Sequence, residues 1–236
     1  GRETLPIIIS EWNETYSDRV YINDGCNRAA YIIGTLIGCI NEVWAIVYDK
    51  ALDASMESFD SIEIINGNKG MVTRDGIKKP AFYSFEMMHN LGRRMITKGA
   101  NYIVTEDEDN KLCIVMHNYK RHRPDAIPKI MNNTFSGPDD FRFFENTYKL
   151  DADIYMRGLP YGRYRVVQLS MNTQNGSIYH EWQKMNFISE PSASEIRYLD
   201  KICMPGGGLL QNHMVTDGRL NIHVSLEPFE ISQLII

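Results

Sequence analysis

The chain has 236 residues, 43% hydrophobic and 23% charged, an ordinary globular composition long enough for one large domain or two modest ones. A net charge of -5 and a pI near 5.7 give no support to a nucleic-acid-binding surface. No apolar run approaches the roughly 18 residues that a membrane span needs, and "GRETLPIII" is too short in its apolar part for a signal peptide.

Four cysteines, Cys26, Cys39, Cys113 and Cys203, are widely spaced, with no C-x-x-C pair and no ligand-like spacing to the six histidines. Free thiols in a cytoplasmic, bacterial protein are therefore expected, with no metal and no cofactor. The N-x-[ST] matches at Asn13, Asn132 and Asn175 carry no information in such a chain.

Residues 6–10 read as a buried strand that runs into a carboxylate, Glu11. At the C-terminal end of a parallel strand such a side chain faces a ligand cleft; the alternative is simply the first solvated residue after a core strand. "DGCNRAAYIIGTLIGCIN" (24–41) has helical spacing, with Asp24 as N-cap. "EVWAIVYD" reads as a second buried strand ending at Asp49. "KPAFYSFEMMHNLGRRM" reads as a second helix, opened by Pro80 and closed by Arg93 and Arg94. Strand, helix, strand, helix implies parallel pairing.

From about residue 96 the pattern changes. "NYIVTEDEDNKLCIVMHNYK" is a hairpin around an acidic turn, and "YKLDADIYMRGLPYGRYRVVQLSMNTQNGSIYHEW" continues with period-two alternation. "SASEIRYLDKI" is a short inserted helix, "PGGGLL" (205–210) a flexible turn, and "GRLNIHVSLEPFEISQLII" two last strands around Glu227-Pro228. Short strands with turn signals suggest a β-sandwich. The expected division is residues 1–95 mixed α/β and 96–236 all-β. Two βα units cannot bury a core comfortably by themselves. That half either leans on the sandwich or completes something longer.

Several stretches resemble glycoside hydrolase family 39, the β-xylosidase and α-iduronidase group. "PIIISEWNETYSDRVYINDGCNRAAYIIGTLI" is similar to the seventh strand and helix of that family, and "VWAIVYD" to its eighth strand. "GNKGMVTRDGIKKPAFYSFEMMHNLG" is similar to the stretch leading into the eighth helix. "HNYK", "NGSIYHEWQKMN" and "TDGRLNIHVSLEPFEISQLI" carry the resemblance onward. It implies the C-terminal portion of a (β/α)8 (TIM) barrel followed by a β-sandwich, with the rest of the barrel supplied by an upstream segment of the same protein.

The resemblance implies that Glu11 holds the position of the nucleophile of a retaining glycosidase, with Trp12, Asn13, Asp49 and Asn66 beside a xylose-type sugar. For Trp12, core packing is the equal alternative. The acid/base of the family sits in an Asn-Glu-Pro motif, which this chain does not contain. Glu14, Asp24 and Asp49 are read as caps, loop charges or solvated residues rather than substitutes. Where the family has a His-Gly-Gly-Phe loop, this sequence has Asn66, Gly67, Asn68 and Lys69. These departures imply a segment that does not turn over sugar alone. Some AraC-type transcription regulators resemble the same family behind a helix-turn-helix module. In that setting the segment would be a sugar-sensing or structural effector domain, making no direct contact with nucleic acid.

Overall fold

The computed structural model describes residues 5–15, 20–53, 63–131 and 143–236; Asn132 lies outside them. Strands β1 (Ile8–Trp12) and β2 (Ala45–Tyr48) pair in parallel, with Ile8 opposite Ala45 and Trp12 opposite Tyr48. A short 3-10 turn (Tyr21–Asp24) and helix α1 (Cys26–Cys39) connect them, and α2 (Pro80–His89) follows. Parallel strands need such a crossover because a tight hairpin cannot reverse the chain direction twice.

The remainder runs β3 (Arg94–Lys98), β4 (Tyr102–Glu106), β5 (Leu112–His117), α3 (Ile127–Met131), β6 (Leu150–Arg157) and β7 (Gly162–Met171). It continues through α4 (Ile178–Lys184), α5 (Ala193–Ile202), β8 (Gly206–Val215), β9 (Arg219–Leu226) and β10 (Ile231–Ile235). Six strands form one antiparallel sheet in the order β3-β4-β5-β10-β7-β8, while β6 pairs with β9.

Alternation of side chains explains the layering. Along β5, Cys113 and Val115 enter one core while Ile114 and Met116 enter another. The first core includes Ile33 and Ile37 of α1, Tyr83 and Met87 of α2, and Ile231 of β10. The second packs Leu220, Ile222 and Val224 of β9 on the opposite face of the sheet. Helices α1 and α2 therefore bury their apolar stripes against the six-stranded sheet, and residues 96–236, expected to be all-β with one inserted helix, also carry α3 and α4. A third core joins Ile64, Ile65 and Ile77 to Ile178, Tyr179 and Trp182 of α4 and Leu199 of α5.

Several expectations are corrected. Glu11 and Trp12 lie within β1, which is displaced toward the C-terminus of the expected strand. Gly25, not Asp24, is the N-cap of α1; Asp24 is taken by buried partners described below. Helix α2 ends at His89, and Arg94 instead opens β3, because Gly92 sits so close to Glu106 that a Cβ there would collide with its backbone. β6 and β7, consecutive along the chain, enter different sheets. Ile178–Lys184 is a helix rather than more strand, since Ile178, Tyr179 and Trp182 share one buried face at helical spacing. "GGGLL" lies in β8, where its backbone pairs with β7. Helix α5, the short inserted helix expected here, is opened by a capping box of Ser192 with Glu195. The Asn-Gly turn needs its glycine: Gly176 has φ +82, and a Cβ there would meet the Met204 carbonyl.

Candidate active site

β1 carries the apolar run up to Ile9 and then presents Glu11, whose side chain is exposed and has no hydrogen bond or ion pair among the described residues. The three residues after it are all held. Trp12 is half-buried; its Nε1 donates to the Tyr31 hydroxyl at 3.0 Å. Its indole stacks on Tyr31 with ring centroids 5.6 Å apart and meets the edge of Tyr48 at 5.5 Å. Asn13 Nδ2 donates to the Asp49 carbonyl, while Oδ1 accepts from the Glu14 amide at 2.8 Å and from Arg28 Nη1. Both acceptor positions of that amide oxygen are thereby occupied, and Asn13 ties the end of β1 to the end of β2.

Glu14 points into the protein. Its Oε1 accepts from the Tyr119 hydroxyl and from His122 Nε2, each at 3.0 Å, and its Oε2 lies 3.5 Å from Arg28 Nη1. Burial pushes the Glu14 carboxyl up, but Arg28, His122 and Tyr119 together hold it below the usual range. As an ionised acceptor it requires that His122 carry a proton on Nε2. Arg28 is fully buried and donates also to Thr15 Oγ1, at 3.1 Å, and to Asn23 Oδ1. Burial, and then Glu14, push the Tyr119 hydroxyl upward.

A second buried ion cluster lies behind the loop. Lys79 is fully buried and its ammonium donates to Asp24 Oδ1 (2.6 Å), Asp53 Oδ1 and Oδ2 (2.9 and 3.0 Å) and the Asn68 carbonyl (2.7 Å). The Gly67 amide bonds Asp24 Oδ2 at 2.7 Å, and the Gly70 amide bonds Asp53 Oδ1 at 2.9 Å. Burial pushes Asp24 up to about 6, with Lys79 pulling it down and Asp53 pushing it up. The ammonium of Lys79 is opposed by burial but held charged by the two carboxylates.

This cluster fixes the loop that contains the expected site residues. Asn66 is half-buried and its Oδ1 accepts from the Asn68 amide at 3.1 Å. Lys69 reaches the Asp49 carboxylate at 2.9 Å, and the Tyr48 hydroxyl donates to the Lys69 carbonyl at 3.0 Å. The Asp49–Lys50 peptide is cis. Glu11, Trp12, Asn13 and Asp49 are thus gathered at the adjoining ends of β1 and β2, while Asn66 belongs to the loop that meets Asp49 through Lys69. Among the described residues no cluster of three His, Cys, Asp or Glu suited to a metal is present. All four cysteines are free thiols. No helix among the described residues is long and apolar enough to cross a membrane.

The reading of Glu14 and Asp24 as caps or solvated charges is corrected: both are buried in ion pairs. Arg28, Tyr119, His122 and Lys79 enter this region without a sequence expectation, while Asp53, one of the acids after the second strand, turns out to be a buried partner of Lys79. The available signal was Arg28 itself, a guanidinium among "CNRAAYII" on an otherwise apolar helix face, since a buried charge is retained only with partners.

The same arrangement of elements occurs in solved structures. A GH39 enzyme from Xanthomonas axonopodis pv. citri superposes with a TM-score of 0.81 at 18% identity, covering 98% of this chain and 44% of that one. A monomeric β-xylosidase from Caulobacter crescentus CB15 gives 0.77 at 17% identity, covering 98% and 45%. In sequence, a β-xylosidase of Geobacillus stearothermophilus is 22% identical over 228 residues, 97% of this chain and 40% of the relative. An uncharacterized HTH-type transcriptional regulator of Staphylococcus aureus is 22% identical over 208 residues, 85% of this chain and 25% of the regulator. The chain therefore spans less than half the length of these relatives. The pattern for glycosyl hydrolases family 39 matches residues 2–220, and with β1, α1, β2, α2 and the antiparallel sheets following in one order, this chain belongs to that family.

Proposed function

We propose that this chain supplies the last βα units of a (β/α)8 barrel, residues 1–95, and a β-sandwich domain, residues 96–236, of a retaining, xylosidase-like glycoside hydrolase in which Glu11 is the nucleophile. The observation that carries this reading is the contrast at the end of β1. Glu11 is exposed and free of partners among the described residues, while Trp12, Asn13 and Glu14 are each bound. A nucleophile must be open to substrate on a rigid support. In the reaction Glu11 would attack the anomeric carbon as the leaving oxygen departs, and water would then release the sugar from the glycosyl-enzyme.

The barrel is supported by what the parallel pair leaves uncovered. Leu5, Ile7, Ile8, Trp44 and Val47 are 86%, 59%, 54%, 74% and 51% exposed, and parallel sheets are otherwise covered on both faces. Further strands of a longer protein would cover them and bring the acid that protonates the leaving group. Without it, turnover falls by about 10²–10⁴-fold. Trp12 would offer its indole to a sugar ring, with Asn13, Asp49 and Asn66 at the rim. The test is release of xylose from an aryl xyloside by the complete gene product. Glu11→Ala should abolish it, and a 2-fluoro xyloside should leave a covalent adduct on Glu11. A folded wild-type protein with no turnover overturns the reading.

A second reading has its own support. Asp49, expected beside the sugar, is paired with Lys69 at 2.9 Å, in the loop that replaces the His-Gly-Gly-Phe of the family. That neutralised rim suits a sugar-sensing effector domain of an AraC-type regulator, whose DNA contacts would lie in preceding residues. A saturable rise in melting temperature with a pentose, without hydrolysis, would support it. Binding to the native state alone is worth about 2.7 kcal/mol at a hundredfold excess over Kd.

A further inference from the structure

We propose that Tyr119 and His122, from the all-β half, are positioning residues for the Glu11 end of β1. The proposal rests on the reading of Glu11 as the ligand-facing carboxylate, and assigns the all-β half a direct part in holding it. The two side chains lie 105 and 108 residues from Glu14 in sequence, yet both bond its Oε1 at 3.0 Å. Tyr119 reaches Trp12 through a neighbour as well: its ring lies 5.6 Å from that of Tyr31, whose hydroxyl accepts from Trp12 Nε1 at 3.0 Å. Between these grips, Arg28 joins Glu14 to Asn13. Trp12, Asn13 and Glu14, the three residues that follow Glu11, are thereby tied to one cluster.

The grips themselves are anchored in the sheet core. The Tyr119 amide donates to His117 Nδ1 at 3.2 Å, so the other ring nitrogen, Nε2, carries the proton toward the Ala100 carbonyl at 3.1 Å. The His122 ring stacks on Phe144 at 4.7 Å, and Phe144 packs on Phe229 at 4.4 Å. Tyr119 and His122 are therefore displaced only if the core that α1 and α2 share with the sheet moves. Nothing in this arrangement touches the exposed carboxylate itself, so its effect is on where Glu11 stands.

The experiment labels the protein with 5-fluorotryptophan and follows the resonances of Trp12, Trp44 and Trp182 in Tyr119→Phe and His122→Gln. Tyr119→Phe removes one hydroxyl and keeps the ring on Tyr31; Glu14→Gln, which keeps the shape, is the second probe should either variant fail to fold. The Trp12 resonance should shift or broaden while that of Trp182 stays in place. In an active complete gene product, kcat should fall on the order of 10- to 100-fold with KM within about twofold, the signature of a misplaced group rather than lost binding. An unmoved Trp12 resonance in folded variants overturns the proposal, as does a uniform shift of all three resonances, which marks a merely stabilising role. Wild-type protein that lacks turnover but shows the Trp12 response keeps the clamp and overturns the enzymatic reading instead.

Discussion

The Tyr119 hydroxyl donates to Glu14 Oε1 across 3.0 Å, joining the loop that follows β1 to the segment that follows β5. The contact closes a buried cluster with Arg28 at its centre. Removing Glu14 takes away the carboxylate beside the buried Arg28 charge, which then keeps only neutral acceptors on Asn13, Thr15 and Asn23.

Glu14→Ala should therefore cost about 3–5 kcal/mol of stability, since Arg28 would keep its charge in a site sealed from water. Glu14→Gln should cost less, because an amide oxygen still accepts from Tyr119 and His122. Urea unfolding of the three proteins checks this. Equal midpoints for wild type and Glu14→Ala would sink it.

Lys79→Met leaves Asp24 and Asp53 facing each other with no cation, together with the Asn68 carbonyl. The expected loss is again about 3–5 kcal/mol. Adding Asp24→Asn should return part of that loss, because a carboxylate that no longer has a counter-charge is then gone as well. A double-mutant cycle with no coupling would refute the account.

Burial pushes His117 and His180 down to about 4, from an ordinary value of 6.5. Between those values the unfolded chain binds protons that the folded chain excludes, so stability rises with pH there and is lost as pH falls through 6.5 toward 4. Each histidine contributes a slope of about 1.4 kcal/mol per pH unit where the difference is a whole proton. Asp24 has the opposite sign. Buried, with its carboxyl held up to about 6 against an ordinary 3.8, it keeps a proton that the unfolded chain releases between those values. The net slope should be positive, and His117→Gln should flatten it. Urea midpoints at pH 5, 6 and 7 measure it, and a wild-type profile that falls with pH would contradict the assignment.

Ile33 of α1 and Val115 of β5, both fully buried, belong to one core. Ile33→Ala should cost about 2–5 kcal/mol and should lower hydrogen-exchange protection of the β5 amides as much as that of α1. The two halves then unfold as one unit. Protection that survives in β5 after α1 has opened would show two independent units instead.

Much of the architecture was legible from local pattern. Apolar runs ending at Glu11 and Asp49, helical spacing in residues 24–41, and Pro80 at a helix start describe β1, β2, α1 and the start of α2 within a few residues. The period-two alternation and turn signals after residue 147 describe β6, β7, β9 and β10, and "SASEIRYLDKI" describes α5. Local pattern misjudged "SIYHEW" and "GGGLL", where burial against the third core and pairing with β7 outweigh propensity.

The sequence by itself determined the family, the strand-helix-strand-helix order of the first half and the acid at the end of the first strand, because backbone periodicity and motif order are properties of neighbouring residues. Only the tertiary structure decided that Glu11 stands free among the described residues while Glu14, three positions on, is an interior anion. A carboxylate is the same letter in either state. What separates them is whether Arg28, Tyr119 and His122, brought from distant segments, replace the water that burial removes.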